Sequence, residues 1–99
     1  MNINMNKEEM NLTLEIEGRL DTTTAPQLEA CLKENIGDSK HLVMDFSRLE
    51  YISSAGLRVI LAAQKIMNKQ GEMVIKNVND TVMEVFEITG FADILHIEN

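Results

Sequence analysis

Two adjacent serines, Ser53 and Ser54, are the side chains of this 99-residue chain best placed to do chemistry. They lie in VMDFSRLEYISSAGLRVIL, residues 43–61, which reads as a buried strand, a loop ending in the serines, and the start of an amphipathic helix. A hydroxyl at a helix start stands beside unpaired backbone N–H groups and the positive end of the helix dipole. A phosphate added there meets a favourable field. Capping a helix needs one serine and is worth about 1 kcal/mol. Two in succession, followed by Ala55-Gly56, exceed that need. Gly56 forfeits about 1 kcal/mol of helix propensity relative to Ala. Its small size leaves the hydroxyls unshielded and lets another backbone or a ligand approach.

Nucleophilic catalysis by serine needs a base and an oriented acid. The two histidines, His41 and His96, fall near the start or middle of predicted strands, neither of them placed near Ser54, and the serine surroundings are not G-x-S-x-G. An enzyme is therefore not expected. Asp21 and Asp45 both read as following strands on the serine edge of the sheet. They could orient the hydroxyl, hold a kinase-bound metal or repel an attached phosphate. Structurally they could equally serve their own turns. Arg58 lies four residues after Ser54, on the same helical face, where it could pair with a phosphoserine. Two carboxylates do not make a metal site. There is no P-loop, no G-x-G-x-x-G and no metal-spaced histidine pair, so no cofactor is expected.

The elements that must position these groups are legible in hydrophobic period. Residues 2–8 suggest a short strand. Residues 11–17 alternate cleanly, with Leu12, Leu14 and Ile16 on one side, and Gly18 should end that strand. Thr24 and Gln27 suggest a capping box with Pro26 in the first turn of a helix running to about Ile36, stopped by Gly37. Residues 41–46 suit a central strand. The next helix covers about 54–69 and ends at Gln70-Gly71. Residues 72–77 form a strand. Asn79 or Asp80 caps a helix to about Thr89, stopped by Gly90, and residues 94–97 make a last strand. The expected order, β-β-α-β-α-β-α-β, is one α/β domain over 1–99 with a mixed sheet and helices packed on it. Ligand-facing chemistry in such sheets collects at the carboxyl ends of strands.

Composition narrows the function. A formal charge of −7 argues against nucleic-acid binding and against docking on anionic lipid. It permits a partner with a basic face. The single cysteine, Cys31, excludes an internal disulfide and falls on an apolar helix stripe, as a small core residue would. No apolar run approaches a membrane span and the N-terminus lacks a signal-peptide pattern. A cytoplasmic location is expected.

In this order the motifs resemble a STAS domain of the anti-sigma factor antagonist family, over nearly the whole chain. Glu17-Gly18-Arg19-Leu20-Asp21 resembles the family's G-x-L/I-D element. Val43-Met44-Asp45-Phe46-Ser47 resembles its hydrophobic strand closing on D-L/F-S, so Asp45 and Ser47 would support the phosphosite loop. Tyr51-Ile52-Ser53-Ser54-Ala55-Gly56-Leu57 resembles its D-S-S/A/T-G-L phosphorylation loop. Gln70-Gly71-Glu72-Met73 and Thr89-Gly90-Phe91 are similar to later landmarks. Aligning on Gly56-Leu57 puts the phosphorylated serine at Ser54. Ser53 stands where the family often has aspartate, which removes a carboxylate and offers a second hydroxyl as the lesser candidate. The resemblance implies a partner switch. The unphosphorylated chain would bind an anti-sigma factor that is also a serine kinase and so free the sigma factor. Phosphorylation of Ser54 would end that, and a serine phosphatase would reset it. The contact surface would comprise Asp21, Thr22, Thr23, Thr24, Ser53, Ser54, Ala55, Gly56 and Arg58, on a protein monomeric when free. The same fold also admits an unphosphorylated adaptor subunit of a lipid-transport-like membrane complex, or a partner switch with a non-sigma output.

Overall fold

Leu12, Leu14, Ile16 and Leu20 of one strand, and Leu42, Met44 and Phe46 of the next, are fully buried and stack side by side as the floor of a single core. The structure, a computed structural model, describes residues 1–98, so of the expected domain only Asn99 lies outside it. The elements are β1 (Asn2–Glu8), β2 (Asn11–Leu20), α1 (Ala25–Asn35), β3 (His41–Ile52), α2 (Ser54–Gln70), β4 (Glu72–Lys76), α3 (Asp80–Thr89), a 3-10 turn (Phe91–Asp93) and β5 (Ile97–Glu98). The strands lie in the order β1-β2-β3-β4-β5. β1 is antiparallel to β2, and every later pair is parallel. This is the expected α/β order. Each parallel pair requires a crossover long enough to hold a helix. Helical residues Leu28, Leu32, Ile60, Met67, Val82 and Phe86 close the core from above. Alternate sheet positions Thr13, Glu15, Val43, Asp45 and Val74 are only half-buried, which leaves the other face of the sheet partly open.

Three local expectations are corrected. The strand expected over 41–46 continues to Ile52, so residues 47–52 are strand, not loop. Its alternation is concealed by two register shifts: the run Leu12 to Leu20 on β2 is matched by the run Leu42 to Ile52 on β3, two residues longer. Each extra residue is a bulge that breaks the period of two. Gly18 does not end β2. It lies inside the strand at φ +107, at the second of these irregularities, where a glycine is readily accommodated. The expected capping box is absent. The Thr24 hydroxyl donates to the Arg19 carbonyl at 2.7 Å and accepts from the Asp21 N–H at 2.9 Å, while the Gln27 amide donates to the Met1 carbonyl at 3.2 Å. Thr24 thus makes no side-chain cap, and Pro26 still opens α1.

The third helix follows expectation more closely. Asn79 accepts from the Val82 N–H at 2.8 Å and also donates to the Leu49 carbonyl, which ties α3 to β3. Gly90 ends the helix at φ +81. The last expected strand shrinks to Ile97–Glu98, because Phe91–Asp93 first make a 3-10 turn. Cys31 is half-buried, and burial pushes its thiol pKa up, as suits an inert packing residue.

At the other end of α2, Gly71 donates to the Met67 carbonyl at 2.7 Å and abuts Lys40, whose carbonyl accepts from the Glu72 N–H at 2.9 Å. A Cβ on Gly71 would collide with that Lys40 carbonyl, which is backbone and cannot rotate away. Gly71→Ala is expected to cost about 2 kcal/mol or more in urea unfolding. Gly90→Asn, a left-handed position with open space around it, should cost about 1 kcal/mol or less.

Candidate functional site

β2 and β3 end level with each other, Leu20 opposite Ile52. The Ser53 N–H then donates to the Leu20 carbonyl at 2.9 Å. This bond sets the Asp21–Thr24 turn beside the start of α2, at the carboxyl ends of two parallel strands. The expected contact residues are therefore brought to one edge. Gly56 is the exception. It is buried, and a Cβ built on it would lie 2.7 Å from Leu20 Cγ and 2.9 Å from Ile52 Cγ1. Its smallness serves the approach of α2 to the strand ends, not the approach of a partner, and it forms no part of an exposed surface.

The two serines differ sharply. Ser53 is the N-cap of α2 in extended conformation, φ −104 and ψ 178, and its carbonyl accepts the Leu57 N–H at 2.9 Å. Its hydroxyl makes no capping bond and is buried without a hydrogen-bond partner among the described residues. Ser54 is the first helical residue and is exposed. Arg58, one turn on, is exposed and forms no ion pair among the described residues. No acidic side chain occupies the first turn of α2, so the helix itself places no negative charge at its positive end. An added phosphate on Ser54 would have that end beneath it and Arg58 within reach.

The neighbouring turn is tightly bonded. Asp21 Oδ1 accepts from the Thr23 hydroxyl at 2.8 Å, the Thr23 N–H at 3.0 Å and the Thr24 N–H at 3.3 Å. The Thr23 hydroxyl, with these N–H groups, holds the Asp21 carboxyl below its ordinary pKa, against a partial opposing effect of desolvation. Its carboxylate is committed to its own turn and makes no bond to the serines. Thr22 remains exposed.

Asp45 and Ser47 are corrected more fully. Asp45 lies within β3, not after it, and accepts from the Ser47 N–H at 2.9 Å and the Asn77 amide at 3.1 Å. Desolvation raises its pKa, but these bonds outweigh it and the net shift is downward. The pair ties the first bulge of β3 to the end of β4 and makes no bond to the serine turn. The histidines are equally remote in their bonding: His41 opens β3 and meets Glu72 at 2.9 Å, and His96 meets Glu98 at 3.3 Å. Among the described residues neither histidine is bonded to Ser54.

One surface feature escaped the sequence reading. The Arg19 guanidinium lies over the Tyr51 ring at 4.5 Å and stands 3.9 Å from Asp21. The two residues are cross-strand partners only because of the second bulge, so no spacing in the sequence announces them. The stack is worth about 0.5–1 kcal/mol at an exposed site.

Comparison with known proteins agrees with this fold. Residues 2–99 match the family described as STAS domain. The chain is 40% identical over 101 residues to BtrV of Bordetella bronchiseptica, named as a candidate anti-sigma factor antagonist, covering 100% of this chain and 87% of that protein. It is 31% identical over 104 residues to an anti-sigma-B factor antagonist of Listeria monocytogenes, covering 100% of this chain and 91% of that one. Its fold is similar to that of the Bacillus cell fate determinant SpoIIAA in phosphorylated form, with TM-score 0.76 and 19% identity, covering 99% of this chain and 92% of that one.

Two outcomes follow from the site itself. Ser53→Ala removes a buried, unpartnered hydroxyl, so it should be neutral or stabilising by about 1 kcal/mol in urea unfolding, against the usual loss for an N-cap serine. Because the folded-state pKa of Asp21 is depressed, its contribution to stability is present above the unfolded value and is lost as pH falls through the folded value. Asp21→Asn should therefore narrow the difference in thermal midpoint between pH 7 and pH 3.

Proposed function

The chain belongs to the STAS domain family, among the anti-sigma factor antagonists, and from that premise we propose that it binds an anti-sigma factor under control of Ser54 phosphorylation. In the unphosphorylated state the surface formed by Asp21–Thr24, Ser54, Ala55 and Arg58 holds an anti-sigma factor that is also an ATP-dependent serine kinase, and the sigma factor is freed. The kinase moves the γ-phosphoryl group of ATP to Ser54 Oγ, leaving ADP, and the complex separates. A serine phosphatase hydrolyses the phosphoserine and restores binding. The chain itself is a binding protein, working in the cytoplasm as a monomer when free.

The observation that carries this reading is the contrast between the serines: Ser54 is exposed on the first turn of α2, and the Ser53 hydroxyl is buried. A kinase needs access to the hydroxyl, and only Ser54 offers it without opening the helix start. A phosphate adds about −1.5 to −2 charges to a chain already at −7. The helix N-terminus accommodates it, so separation needs no refolding. Repulsion of an acidic group on the partner does the work.

Protein purified from its native cells should carry one phosphate, mapped to Ser54, and its unmodified form should co-purify with a serine kinase. Ser54→Asp should weaken binding to that kinase by about tenfold or more, equivalent to about 1.4 kcal/mol, and Ser54→Ala should bind and resist phosphorylation. Continued single-site phosphorylation of Ser54→Ala would move the site to Ser53. An unphosphorylated protein in constant company with membrane-complex subunits would overturn the switch.

A further inference from the structure

Helices α1 and α2 do not close on each other along their whole length. Between them run two cavities, of about 290 Å³ and about 60 Å³, that share Glu29, Val59 and Ala62 and so form one groove. Its larger part includes Ala25, Ala55 and Arg58 beside the serine turn, and its far end reaches the exposed Ile66. The walls are mostly small and apolar. On the rim Glu29 pairs with Lys33 at 3.7 Å, which leaves Arg58 as the uncompensated charge, at the Ser54 end. We infer that this groove docks an amphipathic helix of the anti-sigma factor, with apolar residues along Val59 and Ala62 and a carboxylate on Arg58.

Three observations favour that occupant. From Ala55 to Ile66 the groove follows three turns of α2, about 16 Å, which suits anchors at i, i+3 or i+4, and i+7. Beyond Arg58 and the paired Glu29 and Lys33, only Thr22 brings a polar side chain to the groove, which gives a small polar molecule few convergent groups to bind. Its one unpaired charge is a cation on an otherwise acidic chain, complementary to a carboxylate. The inference rests on Ser54 being the switch site, and it adds a second action of the phosphate. A phosphoserine four residues before Arg58 pairs with it and takes the cation from the partner's carboxylate.

The test uses the serine-kinase anti-sigma factor identified with the native protein, purified, and the full chain. Ala62→Glu and Ile66→Lys, both at exposed positions, should each weaken its binding by about tenfold, while Ile88→Glu on α3 leaves it unchanged. Arg58→Gln should weaken binding too, and less than additively with Ser54→Asp, since both remove the same cation from the partner. Wild-type affinity in both groove variants would overturn the groove while leaving a Ser54→Asp effect, and hence the switch, intact. Loss in the groove variants with an inert Ser54→Asp would instead sink the switch reading and the competition for Arg58. A change of sedimentation in the groove variants, with kinase binding intact, would assign the groove to a second copy of this chain and overturn the inference.

Discussion

The contact of Gly56 with Leu20 and Ile52 fixes the rest of the site. With no side chain at that position, the first turn of α2 settles directly on two fully buried residues from the ends of neighbouring strands. Its distance from the sheet is set by van der Waals radii, not by a flexible loop. Ser54 inherits that position and points outward from a seat that belongs to the core. The Asp21–Thr24 turn inherits it as well, because the Ser53 N–H closes on the Leu20 carbonyl. Two segments distant in sequence become one edge through one small residue and one hydrogen bond.

The side chains along that edge differ in how far they are already engaged. Hydrogen bonds within the turn spend the Asp21 carboxylate locally, the Arg19 guanidinium sits over the Tyr51 ring, and Asp45 is engaged at the end of β4. The unspent groups are the Ser54 hydroxyl, the helix N-terminus and the Arg58 guanidinium. A hydroxyl beside positive potential can carry a phosphate at little electrostatic cost. The buried Ser53 hydroxyl shows the contrary case, a polar group taken from water with no bond in return.

How much of this the sequence disclosed depends on how regular each element is. The clean alternation in residues 11–17 and the 3.6-residue period of α2 disclose the fold order, the Gly90 stop is legible, and of the two cap candidates, Asn79 and Asp80, the structure uses Asn79. The end of β3 is not legible, because two bulges erase its alternation just where it approaches the serines. The second bulge also brings Arg19 to Tyr51, which does not follow from counting residues. The helix-propensity cost of Gly56 in the first turn marks a close approach, but the sequence reading puts Gly56 on the partner surface, whereas the approach is to Leu20 and Ile52 of the core. Period records which residues share a face; it does not record which neighbour lies across from them.

α2 is held by a glycine contact near each end, Gly56 on Leu20 and Ile52, and Gly71 on the Lys40 backbone. It behaves as a beam clamped at both supports. Because each residue of an α-helix turns the chain by about 100°, inserting or deleting a single residue between the clamps would swing one glycine away from its support and bring a bulkier neighbour against it. The number of residues in this helix is thus constrained as strictly as their identity. Variation in length among such domains should be confined to the turns, and α2 should be the segment least tolerant of it.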